Sequence, residues 1–418
     1  MVSQKQSSST TKSCARWQPW PQQDSPPDYG TNAAPDAPGP GQRARLQAFV
    51  AFGFVESATS YGEELMRLVR EAGADRVGVT TAEPLTRARE AIELRIASGM
   101  ADGMQFTFRN PERSTTPTMS VPGAKSIIVA ARSYYIDARS VGGDSVETAA
   151  STVPAIVPAQ VARYAWRNHY EPLREALRVA AKRLKRDGHR ATVFADDNSV
   201  VDREVAYRAG LGWYGKNANL LLEGLGSWFV LGCVVTTAEL LPTHREVADG
   251  CGACRRCLDA CPTGAIVAPG VVDARKCLAW LIQKPGVFDP AFRDALGTRI
   301  YGCDDCQEVC PPTRRGATAL SIADGTTRNV VDALEILTAP ESKVLEICDE
   351  WYVADRNPRW VRRNALIILG NSNLGENEEV ALALARYIHG NDDLLSEHAR
   401  WAANKLGRTD LLSAEYVP

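Results

Sequence analysis

Apolar residues along this chain follow two spacings, the three-to-four-residue step of a helix face and the short unbroken run of a buried strand. From Tyr61, "YGEELMRLVREAGADRVGVTTAEP" sets Leu65, Leu68 and Val69 on one helical face, meets a stop at Gly73 and continues as a short strand. "AKSIIVAARSYY", beginning at Ala124, predicts a buried strand, and "ATVFA" and "SWFVLGCVVTT" predict two more. "EPLREALRVAAKRLKRDGHR" predicts an amphipathic helix with a strongly basic outer face. Helices interleaved with strands imply an α/β or α+β domain over 45–244. Beyond about 340 the pattern is helical throughout. There "RNALIILG" from Arg363 and "RWAANKLG" from Arg400 share the frame R-x-A-x3-L-G, 37 residues apart, which suggests paired-helix repeats of HEAT type over 340–418.

The first 44 residues break the pattern. They hold seven prolines among Ser, Gln, Gly and Ala, with no apolar core of a signal peptide. Such a segment cannot bury enough apolar area to offset chain entropy, so 1–44 is expected to be a disordered leader, with Cys14 inert inside it. No run is long and apolar enough for a membrane span, and a cytoplasmic monomer is expected. The formal net charge of −2 excludes a globally basic nucleic-acid binder, so any such surface must be a local patch.

Chemistry concentrates in the cysteines. Eight of eleven fall between Cys251 and Cys310, which in a large chain without an export signal favours metal ligation over disulfides. "CGACRRCLDACP" has the C-x2-C-x2-C-x3-C-P spacing that wraps a 4Fe–4S cube, the fourth cysteine crossing to a second cluster. "YGCDDCQEVCPP" repeats half of it, preceded by the isolated Cys277. By this crossing logic Cys251, Cys254, Cys257 and Cys310 hold one cluster, and Cys261, Cys277, Cys303 and Cys306 the other. Zinc also takes four thiolates, but its usual separated C-x2-C pairs leave the crossing cysteine and its proline unexplained. The ferredoxin-like module is expected over 245–315. Cys233 and Cys348, outside the pattern, are expected to be small core residues.

Two clusters form an electron wire without a substrate position, so another centre must carry the reaction. Upstream, Asp196 and Asp197 follow the strand "ATVFA", and "AGLGWYGKN" puts Gly210, Gly212 and Gly215 within six residues, a spacing that permits close approach to a flat or bulky ligand. The next helix is expected to turn Val201, Val205 and Ala209 inward and Arg203 and Arg208 outward.

Together, "RAGLGWYGKN", "GSWFVLG", "CGACRRCLDACPTGAI", "VVDARKCLAWL" and "RIYGCDDCQEVCP" resemble the epoxyqueuosine reductases over roughly 105–315, and the helical tail resembles that of the family's longer members. The resemblance implies an α+β protein: a cobalamin-binding catalytic domain, a ferredoxin-like double 4Fe–4S module and the HEAT-like tail. It further implies reduction of epoxyqueuosine to queuosine in a tRNA anticodon stem-loop, with electrons from a donor such as flavodoxin or ferredoxin. The family's proton-donating aspartate falls on Asp196, and positions lining its corrinoid fall near Arg113, Asn217, Leu220 and Leu231. Departures lie at "DDNS" (Asp196 to Ser199), where many members carry D-S-A-P, and at "RNHY" (Arg167 to Tyr170), where they read R-D-Y-H. These motivate an alternative, a corrinoid iron–sulfur reductase acting on another epoxide or halide. A second alternative is a plain electron carrier, against which the large domain ahead of the cysteines argues. None of the five histidines sits in a D-x-H-x-x-G setting, so a cobalt would lack a protein imidazole, and His169 is the one expected near substrate.

Two patches are candidates for RNA. Nine Lys/Arg stand against three acids between Arg163 and Arg190, and "DRNPRWVRRN" groups Arg359, Arg362 and Arg363 around Trp360.

Overall fold

The computed structural model describes residues 61–135, 156–243, 247–317 and 328–413. The expected leader, 1–44 with its Cys14, and His244 lie outside the described residues.

The four predicted strands form one sheet. Arg76–Thr81, Ser126–Ser133, Phe229–Thr236 and Ala191–Ala195 lie side by side in that order, and every pair is antiparallel. The protein is therefore of α+β type, because no crossover helix joins parallel neighbours in this sheet. The two middle strands are apolar on both faces. Ile128, Ala130, Val230 and Val234 face the helices 61–71 and Tyr170–Arg186, meeting Leu65, Val69, Leu173, Leu177 and Leu184. Their alternates Ile127, Val129, Leu231, Cys233 and Val235 face Val205 and Ala209, with Leu220 and Leu222. Period-two alternation divides one run between two cores. Cys233 is an ordinary small core residue, fully buried, as is Cys348.

A third core lies over the second half of the chain. The strand Pro158–Val161 runs between Arg299–Tyr301, to which it is parallel, and Val330–Asp332, to which it is antiparallel. Val157, Ala159 and Val161 join one apolar cluster with Leu278, Leu281, Ile282, Leu296 and Ile300 and with the tail helices. Asp332 fastens this junction: its carboxylate accepts from Ile156 N and Val157 N, both at 3.1 Å, and caps the helix Ala333–Thr338 through Leu334 N.

The tail continues through Glu341–Ile347, Arg359–Gly370, Glu378–Ile388 and Asp393–Lys405, the last two capped by Asn377 and Asp392. The two R-x-A-x3-L-G segments lie on helices that pack on each other, with Gly370 against Trp401 and Ala402.

Three tail arginines expected to meet RNA are engaged internally. Arg363 is 1% exposed. Its guanidinium donates to the carbonyls of Leu281, Ile282, Lys284 and Gly286, at 2.6–3.0 Å. Leu281 and Ile282 lie in the last turn of the helix Leu278–Gln283, which begins directly after Cys277, and Lys284 and Gly286 lie just past its end. Arg363 is thus a buried C-terminal cap and cannot reach a phosphate. Arg362 donates to Ala339 O at 2.8 Å and Ile336 O at 3.5 Å, and pairs with Glu341. Arg359 holds the Asp392 carboxylate at 2.6 Å. A second buried arginine, Arg293, donates to Phe288 O and to both oxygens of Glu397. Beside it His398 is fully buried and pushed down to about 4 by that burial. It is neutral at pH 7, and its Nε2 accepts from Phe288 N.

Candidate functional site

The eight clustered cysteines divide between two cavities. One, of about 130 Å³, is lined by Cys251, Cys254, Cys257 and Cys310, with Pro311 and Pro312 closing it. The other four, Cys261, Cys277, Cys303 and Cys306, line one side of a much larger cavity of about 640 Å³. Among the described residues, no three Cys, His, Asp or Glu side chains converge tightly enough for a single ion, so each set brackets a space rather than a point.

Local folding explains the partition. Each C-x2-C turn opens a one-turn helix, Arg256–Asp259 or Asp305–Glu308, and the two helices lie against each other. The cysteine that ends each motif therefore leaves toward the opposite set. Burial holds these thiols above their ordinary range, Cys257 at about 11 and Cys303 at about 12, so any ligation must displace their protons. Backbone N–H groups already point at sulfur, Ala265 N lying 3.2 Å from Cys261 Sγ.

A single loop joins the two sets. In "GWYGKNANL", Lys216 Nζ donates to Gly252 O at 2.5 Å and Cys254 O at 3.0 Å, beside the first set. The next residue, Asn217, donates to Cys306 O at 3.3 Å, beside the second, and lines both cavities. The glycines here serve their own hairpin, Gly212–Tyr214 with Leu220–Leu222, rather than a ligand. A Cβ on Gly212 would stand 2.1 Å from Leu221 O, and one on Gly215 would stand 2.8 Å from Asn217 Oδ1. The cysteine module docks on the sheet through a comparable approach. Gly226 (φ +62°) faces the Thr313 backbone, where a Cβ would come within 2.1 Å, and Ser227 bonds Thr313 and Gln307.

Beyond its cysteines the large cavity is mostly apolar, with Met100, Met104, Phe106, Phe108, Leu220 and Leu231 on its walls. Asn217, Leu220 and Leu231 therefore line it as expected positions would, and Arg113 does not. Arg113 instead donates to Ser199 Oγ at 3.1 Å and holds the loop that follows Asp196. Within "DDNS", Asp197 Oδ1 accepts from Ser199 N at 2.7 Å and the Asn198 carbonyl accepts from Ser114 Oγ at 2.7 Å, while Asp196, Asp197 and Asn198 remain exposed. None of Asp197, Asn198 or Ser199 lines the cavity.

Asp196 does not line the cavity either; it is open to solvent, with a left-handed backbone (φ 53°). Crowding by protein raises its carboxyl above the usual range. Arg174, whose guanidinium donates to Ala195 O, pulls the other way, and Asp197 adds to the rise. Two cavity-lining groups sense its charge. Tyr170 is raised by burial and then by Asp196 and Asp202, and Asp202 is raised by burial, lowered by Arg203 and raised by Asp196. Sequence reasoning missed Asp202, while Tyr170 closes the "RNHY" stretch expected near substrate, and Arg203, expected outward, is exposed. Arg203 lines the cavity and donates to Ala218 O at 3.1 Å. A helix beginning at Asp202 directly under the aspartate loop was the available signal. His169 is buried against Tyr134, rings 5.5 Å apart, and is not in the lining, while Asn168 caps the basic helix by accepting from Tyr170 N and Glu171 N.

Replacing Cys261 by alanine should remove the cluster in the large cavity and spare the other. Iron analysis is expected to fall from about eight to about four per chain, for two cubes of four irons each. Retention of the full complement would refute the division of ligands.

The comparisons with known proteins are consistent. The family model of the 4Fe-4S double cluster binding domain matches residues 250–313. The epoxyqueuosine reductase of Xanthomonas campestris is 32% identical over 362 residues, covering 84% of this chain and 97% of that one. A crystal structure of an epoxyqueuosine reductase with an epoxyqueuosine-modified tRNA-Tyr stem loop has a TM-score of 0.73 at 27% identity, covering 82% of this chain and 90% of that one. A Bacillus subtilis epoxyqueuosine reductase, described with its catalytic aspartate loop swung out of the active site, has a TM-score of 0.72 at 27% identity, covering 83% and 91%.

Proposed function

The chain belongs to the epoxyqueuosine reductase family, and we propose that it reduces epoxyqueuosine to queuosine at position 34 of tRNA with cobalamin and two 4Fe–4S clusters as its redox groups. The observation that carries this reading is the shared lining of the large cavity: Cys261, Cys277, Cys303 and Cys306 on one side, and Asn217, Leu220, Leu231 and the Tyr170–Asp202 pair on the others. An apolar chamber of this size beside thiolate ligands suits a macrocycle that must receive electrons, and no histidine among the described residues lines it.

Converting an epoxide to an alkene breaks both C–O bonds, consumes two electrons and two protons and releases water. Clusters in the cysteine cavities supply single low-potential electrons, and cobalamin bound in the large cavity supplies a strongly reducing metal centre. The protein's own part is to position and protonate. Asn217, Leu220 and Leu231 hold the ring, and the apolar walls exclude water. Asp196, raised by its surroundings, stays protonated further toward neutral pH and delivers a proton to the departing oxygen. Because Asp196 is not among the lining residues, its loop has to carry it inward, a motion consistent with the swung-out loop described for the B. subtilis relative.

The modified base must leave its stack to reach this chamber. Lys182, Lys185 and Arg186, exposed on the basic helix, are the phosphate contacts we favour over the tail arginines. The alternative, a corrinoid iron–sulfur reductase acting on another epoxide or halide, rests on the "DDNS" departure, whose first three residues are exposed. The HEAT-like reading of the tail rests on its helix pairs and repeated frame. Among the described residues no helix is long and apolar enough to cross a membrane, and a cytoplasmic monomer suits the reaction. The test is anaerobic incubation of cobalamin-loaded protein with epoxyqueuosine-containing tRNA and a chemical reductant, followed by nucleoside mass analysis. Conversion to queuosine is expected, and its absence with both clusters and cobalamin bound would reject the function.

A further inference from the structure

The two cysteine sets are not equivalent with respect to the reaction chamber. The second lines it, whereas the first lies in a separate small cavity reached through the Lys216–Asn217 loop. The first set is thus the one farther from the chamber. The protein around it carries a charge unlike the rest of the chain. Over 249–259 and 308–315 the cations are Arg255, Arg256, Arg314 and Arg315, all exposed, with Lys216 beside them. Arg256, Arg315 and Lys216 line the small cavity itself. The acids on the same segments are Asp249, Asp259 and Glu308. Glu308 is held by Arg163 at 2.7 Å, and Asp259 meets Arg255 only at 3.7 Å, with both side chains about two-thirds exposed. Among the described residues neither Arg256 nor Arg314 forms an ion pair. A chain with net charge −2 thus presents a net positive rim around the cavity of the first set.

We infer that this rim is the docking surface of an acidic, low-potential electron-carrying protein, whose own redox group is brought over the cavity of Cys251, Cys254, Cys257 and Cys310. The inference rests on the reductase reading above and adds the partner's charge and its place of contact. Electrostatic steering of this kind speeds encounter, and salt screens it. A polyanion such as tRNA would answer to the same charge, and the experiment separates the two.

The double variant Arg255→Glu/Arg314→Glu reverses two rim charges without touching a cavity-lining residue. Holoenzyme with both clusters loaded is mixed anaerobically with reduced flavodoxin, and cluster reduction is followed by bleaching of the visible absorption, with no tRNA present. At low salt the rate constant is expected to fall about tenfold relative to the unaltered protein, and its salt dependence to flatten. Reduction by dithionite and affinity for the anticodon stem-loop should be unchanged. A control with the same change in net charge, Arg67→Glu/Arg70→Glu on the helix 61–71, should leave flavodoxin-driven reduction unaltered. An undiminished flavodoxin rate in the rim variant would overturn the proposal. So would an equal fall in the control, or a loss of stem-loop affinity that marks the rim as an RNA surface. Because cluster reduction needs neither substrate nor cobalamin, failure to form queuosine would reject the reductase reading without deciding this one.

Discussion

Asp196→Asn is expected to lower single-turnover conversion of epoxyqueuosine by ~10²–10⁴-fold, the usual worth of a positioned general acid, while iron content, cobalamin binding and stem-loop affinity stay unchanged. Asparagine keeps the size and the left-handed turn that Asp196 adopts, since both residues tolerate φ near +53° better than most, so the loss reports proton delivery and not a collapsed loop. The pH profile is a second check. A donor must carry its proton, and crowding raises this carboxyl, with the Asp197 charge adding to the rise and Arg174 opposing it. In the unaltered protein the chemical step should therefore be fastest at low pH and slow as pH rises through a midpoint above the ordinary carboxylate range. A profile flat across that range, or full activity in the variant, would remove Asp196 from the role.

The largest effect on stability is expected from Arg363→Met. Methionine fills much of the volume but leaves the carbonyls of Leu281, Lys284 and Gly286 without this donor in a dry core, while Ile282 O keeps its bond from Asn364 Nδ2. At about 1–3 kcal/mol for each buried group left unsatisfied, a total loss of roughly 3 kcal/mol or more follows. The damage should not stop at the tail. The capped helix starts at Cys277, so the cluster in the large cavity should become labile first, measured as iron lost on mild warming before global unfolding. A variant as stable as the parent, with both clusters intact, would show that the cap is ornamental.

These two residues also mark how far the sequence could be read. The cysteines were legible because metal geometry imposes a spacing that no other constraint produces, and the four strands of the main sheet because each is an apolar run bounded by turns. Asp196 and Asp197 stood out together as acids directly after such a run, and only the family resemblance singled out Asp196. Charge was less informative. "DRNPRWVRRN" looks the same whether its arginines face water or carbonyls, and only the arrival of the Leu278–Gln283 helix end decides for Arg363. Arg203 does face outward from the sheet core, as read, but a face that turns from the core can still border a chamber built by loops from elsewhere. The strand Pro158–Val161 carries no long apolar run, and its pairing with segments far along the chain leaves no local trace.

That same strand bears on how the protein is made. As the chain leaves the ribosome, Pro158–Val161 emerges long before either of its neighbours, Arg299–Tyr301 and Val330–Asp332, exists to cover its edges. Until then it offers two rows of bare amides to any other nascent chain. Yield in a host should therefore depend on translation speed and on chaperones that shield this interval, and early termination anywhere before Asp332 should deliver aggregate rather than a smaller working enzyme.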